Sequence, residues 1–158
     1  MTIFNGDLFN EAADYSNSSG APFWGDEGAG ILPFCWSTGR YLLAKRSALV
    51  NEPHTWGTWG GASEKKEHSA ETAAREFREE TGYHGPIRAH KLYVYENEDK
   101  TFKYTTYLAK FVEEFEPKLN KETEGFVWVT LDELKALPNK HFGLKAILDS
   151  GQLERAHR

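Results

Sequence analysis

The segment that decides the fold is GASEKKEHSAETAAREFREETGY, residues 61–83. Between residues 69 and 81 its small and apolar side chains recur at helical spacing, which predicts a helix that Gly82 ends as a C-cap. Three carboxylates, Glu76, Glu79 and Glu80, stand three and four residues apart and therefore share one face of this helix. Carboxylates at this spacing usually form a solvated face. A bound cation is the alternative that would offset their mutual repulsion.

The rest of the chain alternates between strand and helix patterns. Two β-rich runs, 87–97 and 101–112, are joined by a short polar turn and predict a long hairpin. The other predicted elements are a strand at 28–36 interrupted by Pro33, a second strand at 40–47 paired with it, a strand at 125–130, and helices at 131–137 and 142–151. This order predicts an α+β domain in which helices pack on the faces of a mixed sheet. We expect residues 1–158 to form one domain, with residues 1–25 as an N-terminal arm or short strand.

Composition excludes several classes of protein. The chain has 158 residues and a formal net charge of −5, so it lacks the general basic surface that a long nucleic acid requires. Its single cysteine, Cys35, cannot form an intrachain disulfide, which fits a reducing compartment. No apolar run approaches the length of a membrane span, and the first residues do not have the pattern of a signal peptide. We therefore expect a cytoplasmic protein.

The segment 61–83 resembles the Nudix box, which reads Gly, five residues, Glu, seven residues, then Arg-Glu-apolar-any-Glu-Glu-any-Gly-apolar. The residues that match this pattern are Gly61, Glu67, Arg75, Glu76, Phe77, Glu79, Glu80 and Gly82. Tyr83 occupies the last apolar position, where the family usually has an aliphatic residue, and Trp59 stands where many relatives carry proline. The likeness extends over about residues 28–137. It implies the Nudix fold, a mixed sheet sandwiched between helices (α/β/α).

The resemblance also implies a metal site. Relatives bind Mg²⁺ or Mn²⁺ through box carboxylates and a loop carbonyl, and these positions correspond to Glu76, Glu79, Glu80 and the backbone of Gly60. Oxygen ligands of this kind suit a hard divalent cation. We expect Arg75 to pair with Glu67 or Glu76 and hold the carboxylates in register, so we group it with the catalytic residues. Structural or orienting roles fall to Gly61, Glu67 and Gly82. The sequence leaves the general base open between Glu76 and Glu122, with Glu124 as a weaker third candidate.

The implied activity is metal-dependent hydrolysis of the pyrophosphate bond in a nucleoside diphosphate linked to another moiety. Nucleoside triphosphates are the nearest substrate class. Hydrolysis of ADP-ribose, dinucleoside polyphosphates or capped RNA is an alternative, and a non-catalytic nucleotide sensor is another. The expected partner is a small nucleotide, with no membrane and no long nucleic acid, and the family resemblance allows a homodimer.

Aromatic side chains are the sequence's candidates for contact with a nucleobase. Trp24 and Trp56 are chosen because they flank the first strand and the loop before the box. Tyrosines also alternate along the long hairpin, at Tyr93, Tyr95, Tyr104 and Tyr107, and most of these are expected to pack against the sheet. Base–aromatic stacking is strong enough, about 1–3 kcal/mol per base, for one or two of the aromatics to matter in binding.

Overall fold

The computed structural model describes residues 2–5, 8–9 and 26–156. Nine strands and four helices lie in these ranges. The strands are β1 (Thr2–Asn5), β2 (Leu8–Phe9), β3 (Asp26–Cys35), β4 (Arg40–Arg46), β5 (Trp56–Gly57), β6 (Trp59–Ala62), β7 (Ile87–Glu96), β8 (Phe102–Phe111) and β9 (Thr123–Val129). The helices are α1 (Ser69–Thr81), α2 (Leu131–Ala136), α3 (Phe142–Ser150) and α4 (Gln152–Arg155). Every strand and helix predicted beyond residue 26 is present, and β1 and β2 fall within the predicted N-terminal arm.

Strand β3 is the centre of the sheet. It runs parallel to β8 along its whole length, and β8 forms the predicted antiparallel hairpin with β7, which in turn pairs with β1. On its other edge β3 pairs first with β6, over residues 28–31, and then with β4 at residues 34 and 35. Strand β4 turns away to pair with β9 and β5. The sheet therefore forks beside β3, and the predicted mixed sheet of an α+β domain is confirmed.

Pro33 does not interrupt β3, so that part of the prediction is wrong. The residue lies between the last pairing with β6, at Ile31, and the first pairing with β4, at Phe34. On that edge no strand is paired with Pro33, so a proline is tolerated at the fork although it lacks the N–H that an uninterrupted ladder would use. The predicted hairpin of β3 and β4 is present but is limited to two residue pairs.

Two hydrophobic clusters place the helices on opposite faces of the sheet. On one face α1 buries Ala70, Ala73 and Phe77 completely, against a cluster that includes Ile31 and Trp59. On the other face α2, α3 and α4 bury their leucines against a second set of sheet residues, which includes Leu32, Leu43 and Leu108. Each fully buried leucine or isoleucine stabilises the fold by about 1.5–3 kcal/mol relative to an exposed one. The resulting three layers are the α/β/α sandwich expected from the sequence.

Helix α1 has defined caps at both ends. His68 is its N-cap: Nδ1 accepts a hydrogen bond from Ala70 N at 3.2 Å, and the backbone N–H of His68 donates to Glu71 Oε1 at 3.1 Å. Gly82 has the left-handed backbone (φ 72°) and donates its N–H to Arg78 O, as predicted for a C-cap. The caps and the buried face fix the rotation of α1, and this determines where its carboxylates point. In the part of the chain that is described, no helix has the length and apolarity needed to cross a membrane.

Candidate active site

Three carboxylates converge beside α1. Glu76 and Glu80 come from successive turns of that helix, and Glu122 comes from the loop before β9. One oxygen from each lies within 4.8 Å of the others. The three differ in exposure, since Glu80 is only 7 % exposed, Glu76 is half-buried and Glu122 is exposed. The group therefore reaches from the interior to the surface.

The loop that carries Glu122 is fixed to its neighbours by backbone hydrogen bonds. Its carbonyl accepts from Ser47 N at 3.0 Å, which ties it to the end of β4, and its N–H donates to Asn120 Oδ1 at 2.9 Å. Nearby, Lys118 N donates to Thr81 O at 2.8 Å and joins the loop to the end of α1. These contacts bring Glu122 to two residues that are more than forty positions earlier in the chain.

Arg75, on α1, connects this helix to the preceding loop, which carries Glu67. Its Nε and Nη2 bind the two oxygens of Glu67 at 2.8 and 3.0 Å, and its Nη1 binds Glu76 Oε1 at 2.8 Å. Glu67 also accepts from Glu64 N and Thr72 Oγ1. The paired guanidinium is the main reason that the pKa of Glu67 falls to about 2. Arg75 thus contacts both of the partners considered for it, and it holds Glu76 from one side.

Glu79 stands apart from the convergent group. Its side chain is 54 % exposed, and its Oε1 lies 3.3 Å from Arg75 Nη1. The sequence placed Glu79 and Glu80 together on one face, but α1 turns Glu80 into the interior and leaves Glu79 at the rim.

The raised pKa values of Glu80 and Glu76 indicate that their ionised forms lack a neighbouring positive charge. Burial raises the pKa of Glu80 to about 9, and repulsion by Glu76 and Glu122 adds to the rise, while the Gly60 N–H and Arg46 oppose it. The pKa of Glu76 is also raised by burial, although Arg75 opposes that shift. A buried carboxylate that faces two others is stable in its ionised form only beside a cation. The donor set of several carboxylates fits a divalent cation with a preference for oxygen ligands.

Two glycines of β6 let the backbone approach this group. A side chain at Gly61 would collide with the carboxylate of Glu76. At Gly60 a side chain would collide with the hydroxyl of Tyr104 and with the Ala29 carbonyl of the paired strand. Glycine is therefore required at both positions by close packing.

A polar cleft of about 360 Å³ opens beside the carboxylates. It lies between the loop after β4 and β6, and its lining includes Arg46, Leu49, Thr58, Gly60, Glu80 and Glu122. Arg46 is the only cation among the described residues that line the cleft, and its Nε donates to Asn51 O at 2.7 Å. Sequence reasoning missed Arg46. Its position at the end of β4, just before a loop, was the available signal.

The remaining sequence candidates lie elsewhere. Trp56 packs against the α3 face, with Lys45 Nζ 5.8 Å above its ring, and is not among the described residues that line the cleft. Trp24 falls outside the described residues. Glu124 is exposed and pairs with His54 at 2.9 Å and with Lys45 at 3.6 Å, so other partners engage its carboxylate.

Comparison with known proteins gives one family. A family model described as "NUDIX domain" matches residues 26–150. A curated protein of Mycobacterium tuberculosis (strain CDC 1551 / Oshkosh), named "Putative 8-oxo-dGTP diphosphatase 3", is 32 % identical over 135 residues. That match covers 77 % of this chain and 60 % of the relative, so the chain spans about 60 % of that protein's length.

Solved structures have the same architecture. A MutT protein from Methanosarcina mazei Go1 superposes with a TM-score of 0.67 at 20 % identity, over 82 % of this chain and 94 % of that one. A MutT NUDIX hydrolase from Burkholderia pseudomallei gives 0.63 at 27 % identity, over 78 % and 95 % of the two chains. At 20 % identity the first likeness shows the fold alone.

Proposed function

This chain belongs to the NUDIX family, and from that premise we propose that it hydrolyses the pyrophosphate bond of a nucleoside diphosphate linked to another moiety, with nucleoside triphosphates as the substrate class. The observation that carries the proposal is the convergence of Glu76, Glu80 and Glu122 at the edge of a polar cleft. A cleft of about 360 Å³ is large enough for the phosphates of a small nucleotide.

Glu76 and Glu80 are the central ligands of the proposed Mg²⁺ or Mn²⁺ site, and the Gly60 carbonyl and Glu79 complete the set that the resemblance implies. A divalent cation there supplies positive charge to the pyrophosphate and lowers the pKa of the attacking water. Gly61 allows Glu76 to approach β6, and Gly82 ends the helix that carries the carboxylates. Arg75 and Glu67 are positioning residues, because Arg75 holds the carboxylate of Glu76 and is itself held by Glu67.

The chain's own residues supply the remaining steps. Arg46 binds a phosphate oxygen of the substrate, since it is the cation that lines the cleft among the described residues. Glu122 is the general base that takes the proton of the attacking water. Its carboxylate is exposed to the cleft, and no hydrogen bond ties it to another described residue, whereas Glu76 is held by Arg75. An unengaged carboxylate near the metal ligands is suited to proton transfer.

The first prediction is metal-dependent turnover of a nucleotide. With Mg²⁺ we expect phosphate release from one class in a panel of canonical and oxidised nucleoside triphosphates, ADP-ribose, NADH, diadenosine polyphosphates, sugar nucleotides and capped RNA, with a phosphatase added to reveal the products. EDTA should reduce the rate to background, because it removes the cation that Glu76 and Glu80 would hold. Glu80→Gln is the matched protein control. Nucleotide binding without turnover on any substrate would favour the sensor alternative.

The second prediction identifies the general base. Glu122→Gln should lower kcat by about 10²–10³-fold, while the Mg²⁺ concentration for half-maximal rate stays within about twofold. Glu124→Gln is the control, because it removes an exposed carboxylate two residues away that pairs with His54. Recovery of full kcat at high Mg²⁺ would instead make Glu122 a metal ligand and return the base to Glu76.

A further inference from the structure

A histidine and a glutamate connect the start of α3 to the loop that follows β4. His141 Nε2 lies 2.9 Å from Glu52 Oε2. The side chain of His141 is 20 % exposed and that of Glu52 is 40 % exposed, so the contact is partly shielded from water. Neither residue is among the described residues that line the polar cleft, and the proposed hydrolysis gives neither of them a part.

The hydrogen bonds of His141 determine which ring nitrogen carries the proton. His141 is the N-cap of α3, and its Nδ1 accepts from Gly143 N at 3.0 Å. An accepting nitrogen carries no proton, so the neutral ring has its proton on Nε2, which donates to Glu52. Burial lowers the pKa of His141, and the charge of Arg46 lowers it further, while Glu52 opposes the shift. The ring is therefore neutral at pH 7 and makes both hydrogen bonds at once.

The loop that carries Glu52 also holds Arg46, the cation of the cleft. Arg46 Nε donates to Asn51 O at 2.7 Å. The backbone of Arg46 adds two hydrogen bonds, since its N–H donates to Thr55 O at 2.9 Å and its carbonyl accepts from His54 N at 2.7 Å. Asn51 is the neighbour of Glu52 in the chain. A displacement of Glu52 therefore moves the carbonyl that fixes the guanidinium.

The backbone of this loop requires contacts that hold it in place. Glu52 and His54 both have the left-handed conformation, with φ of 49° and 63°. Residues other than glycine adopt this conformation rarely and keep it where surrounding contacts hold them. The side chain of His54 pairs with Glu124 on β9, and that of Glu52 pairs with His141. The loop is thus attached through side chains at both of its left-handed residues.

His141 is a firm point of attachment for the loop. Its N–H donates to Trp56 O at 2.8 Å, and Trp56 N donates to Asn139 O at 2.9 Å. The side chain of His141 also lies against Gly57, the second residue of β5. These contacts fix the imidazole relative to the sheet, so the ring holds Glu52 from the side of the fold rather than from solvent.

We propose that His141 and Glu52 are positioning residues that hold Arg46 in the orientation in which it binds the phosphates of the substrate. The inference rests on the proposed function, because that function assigns a phosphate oxygen to Arg46. A guanidinium binds such an oxygen best when its direction is fixed before the substrate arrives. His141 acts through Glu52 and Asn51 and does not touch the substrate. Its loss therefore weakens binding and leaves the chemical step almost unchanged.

The test compares Glu52→Ala, Glu52→Gln and His141→Asn on whichever of ATP, GTP, CTP and UTP the wild type hydrolyses fastest in Mg²⁺. Asparagine places an acceptor where Nδ1 stands and is a good N-cap, but it has no atom at the position of Nε2. His141→Asn and Glu52→Ala should therefore raise KM by about fivefold and change kcat less than twofold. Glu52→Gln keeps an acceptor for the Nε2 proton and should recover most of the affinity. Glu113→Ala is the matched control, because it removes an exposed glutamate from the loop after β8, and its KM should equal that of the wild type.

A double-mutant cycle separates this role from a general loosening of the fold. Arg46→Gln alone should raise KM by roughly 10- to 100-fold, since it removes a charge-assisted contact. Adding Glu52→Ala to Arg46→Gln should raise KM less than twofold further, because the side chain that Glu52 positions is already gone. An unchanged KM in Glu52→Ala and His141→Asn, or the same KM effect of Glu52→Ala with and without Arg46, would overturn the inference.

A binding measurement keeps this inference distinguishable from the proposed function. If the wild type hydrolyses none of the four nucleotides, the proposed function fails, and calorimetric binding of inorganic tripolyphosphate in Mg²⁺ then decides the inference. Weaker binding by both Glu52→Ala and His141→Asn than by Glu113→Ala would support the positioning role. Equal binding by the three variants, or no binding by the wild type, would overturn it.

Discussion

Glu80→Gln should lower kcat/KM by at least about 10³-fold and, at the same time, raise the melting temperature of the metal-free protein at pH 8. The side chain is 7 % exposed, and burial with Glu76 and Glu122 nearby raises the pKa of Glu80 from 4.5 to about 9. Because the folded-state pKa is raised, the stabilisation from the protonated carboxyl is fully present below about pH 4.5 and is lost as the pH rises through about 9. Glutamine is neutral at every pH and escapes that loss. We expect a gain of roughly 5 °C at pH 8 and almost none at pH 5.

Thermal melts at pH 5 and pH 8, in EDTA and in Mg²⁺, check this result. Mg²⁺ should raise the melting temperature of the wild type and have little effect on Glu80→Gln, since a ligand that binds only the folded state stabilises it. Glu79→Gln is the control: its side chain is 54 % exposed, so the melting temperature of this variant in EDTA should stay near that of the wild type. Full Mg²⁺-dependent turnover by Glu80→Gln would contradict the metal assignment.

Local patterns in the sequence predicted the longer helices and strands but not the short helix α4. The spacing of small and apolar residues in α1 reports which side of a 3.6-residue turn is buried, and Gly82 supplies the left-handed residue that ends it. The motif then predicted the family fold, because its residue types and spacing are specific. The fork in the sheet was not predicted, because pairing β3 with both β6 and β4 depends on contacts between strands rather than on the pattern within any one of them.

The candidate site was predicted in part for the same reason. Helical periodicity puts Glu76, Glu79 and Glu80 on one face, but only the packing of α1 against β6 decides that Glu80 is buried and Glu79 exposed. Glu122 was named from its motif context, and its convergence with Glu76 depends on a loop fixed at Ser47. Trp56 was favoured because of its position next to the box. Its ring instead packs on the α3 face.

Arg75→Gln should destabilise the protein by about 2–3 kcal/mol at pH 7 and lower kcat by roughly 10²-fold. Arg75 binds both oxygens of Glu67, whose side chain is 13 % exposed, and it is the main cause of the fall in the pKa of Glu67 to about 2. The fall in the pKa of Glu67 from 4.5 to about 2 corresponds to about 3 kcal/mol, and the hydrogen bonds from Thr72 and Glu64 retain a part of it. Glu76 would also lose the guanidinium that holds it, so activity falls through a displaced carboxylate.

The pH dependence distinguishes this ion pair from a general packing defect. Because the folded-state pKa of Glu67 is depressed, its stabilisation is present above about pH 4.5 and is lost as the pH falls through about 2. Urea denaturation of the wild type and Arg75→Gln should therefore give free energies of unfolding whose difference at pH 3 is less than half of that at pH 7.

Arg75→Lys should restore only part of the difference, because an ammonium cannot bind both oxygens of Glu67 in the geometry of the guanidinium. Arg88→Gln, which removes an exposed arginine from β7, should leave stability and turnover unchanged. A difference between wild type and Arg75→Gln that stays constant from pH 7 to pH 3 would mean that Arg75 stabilises the fold by packing rather than through the charge of Glu67.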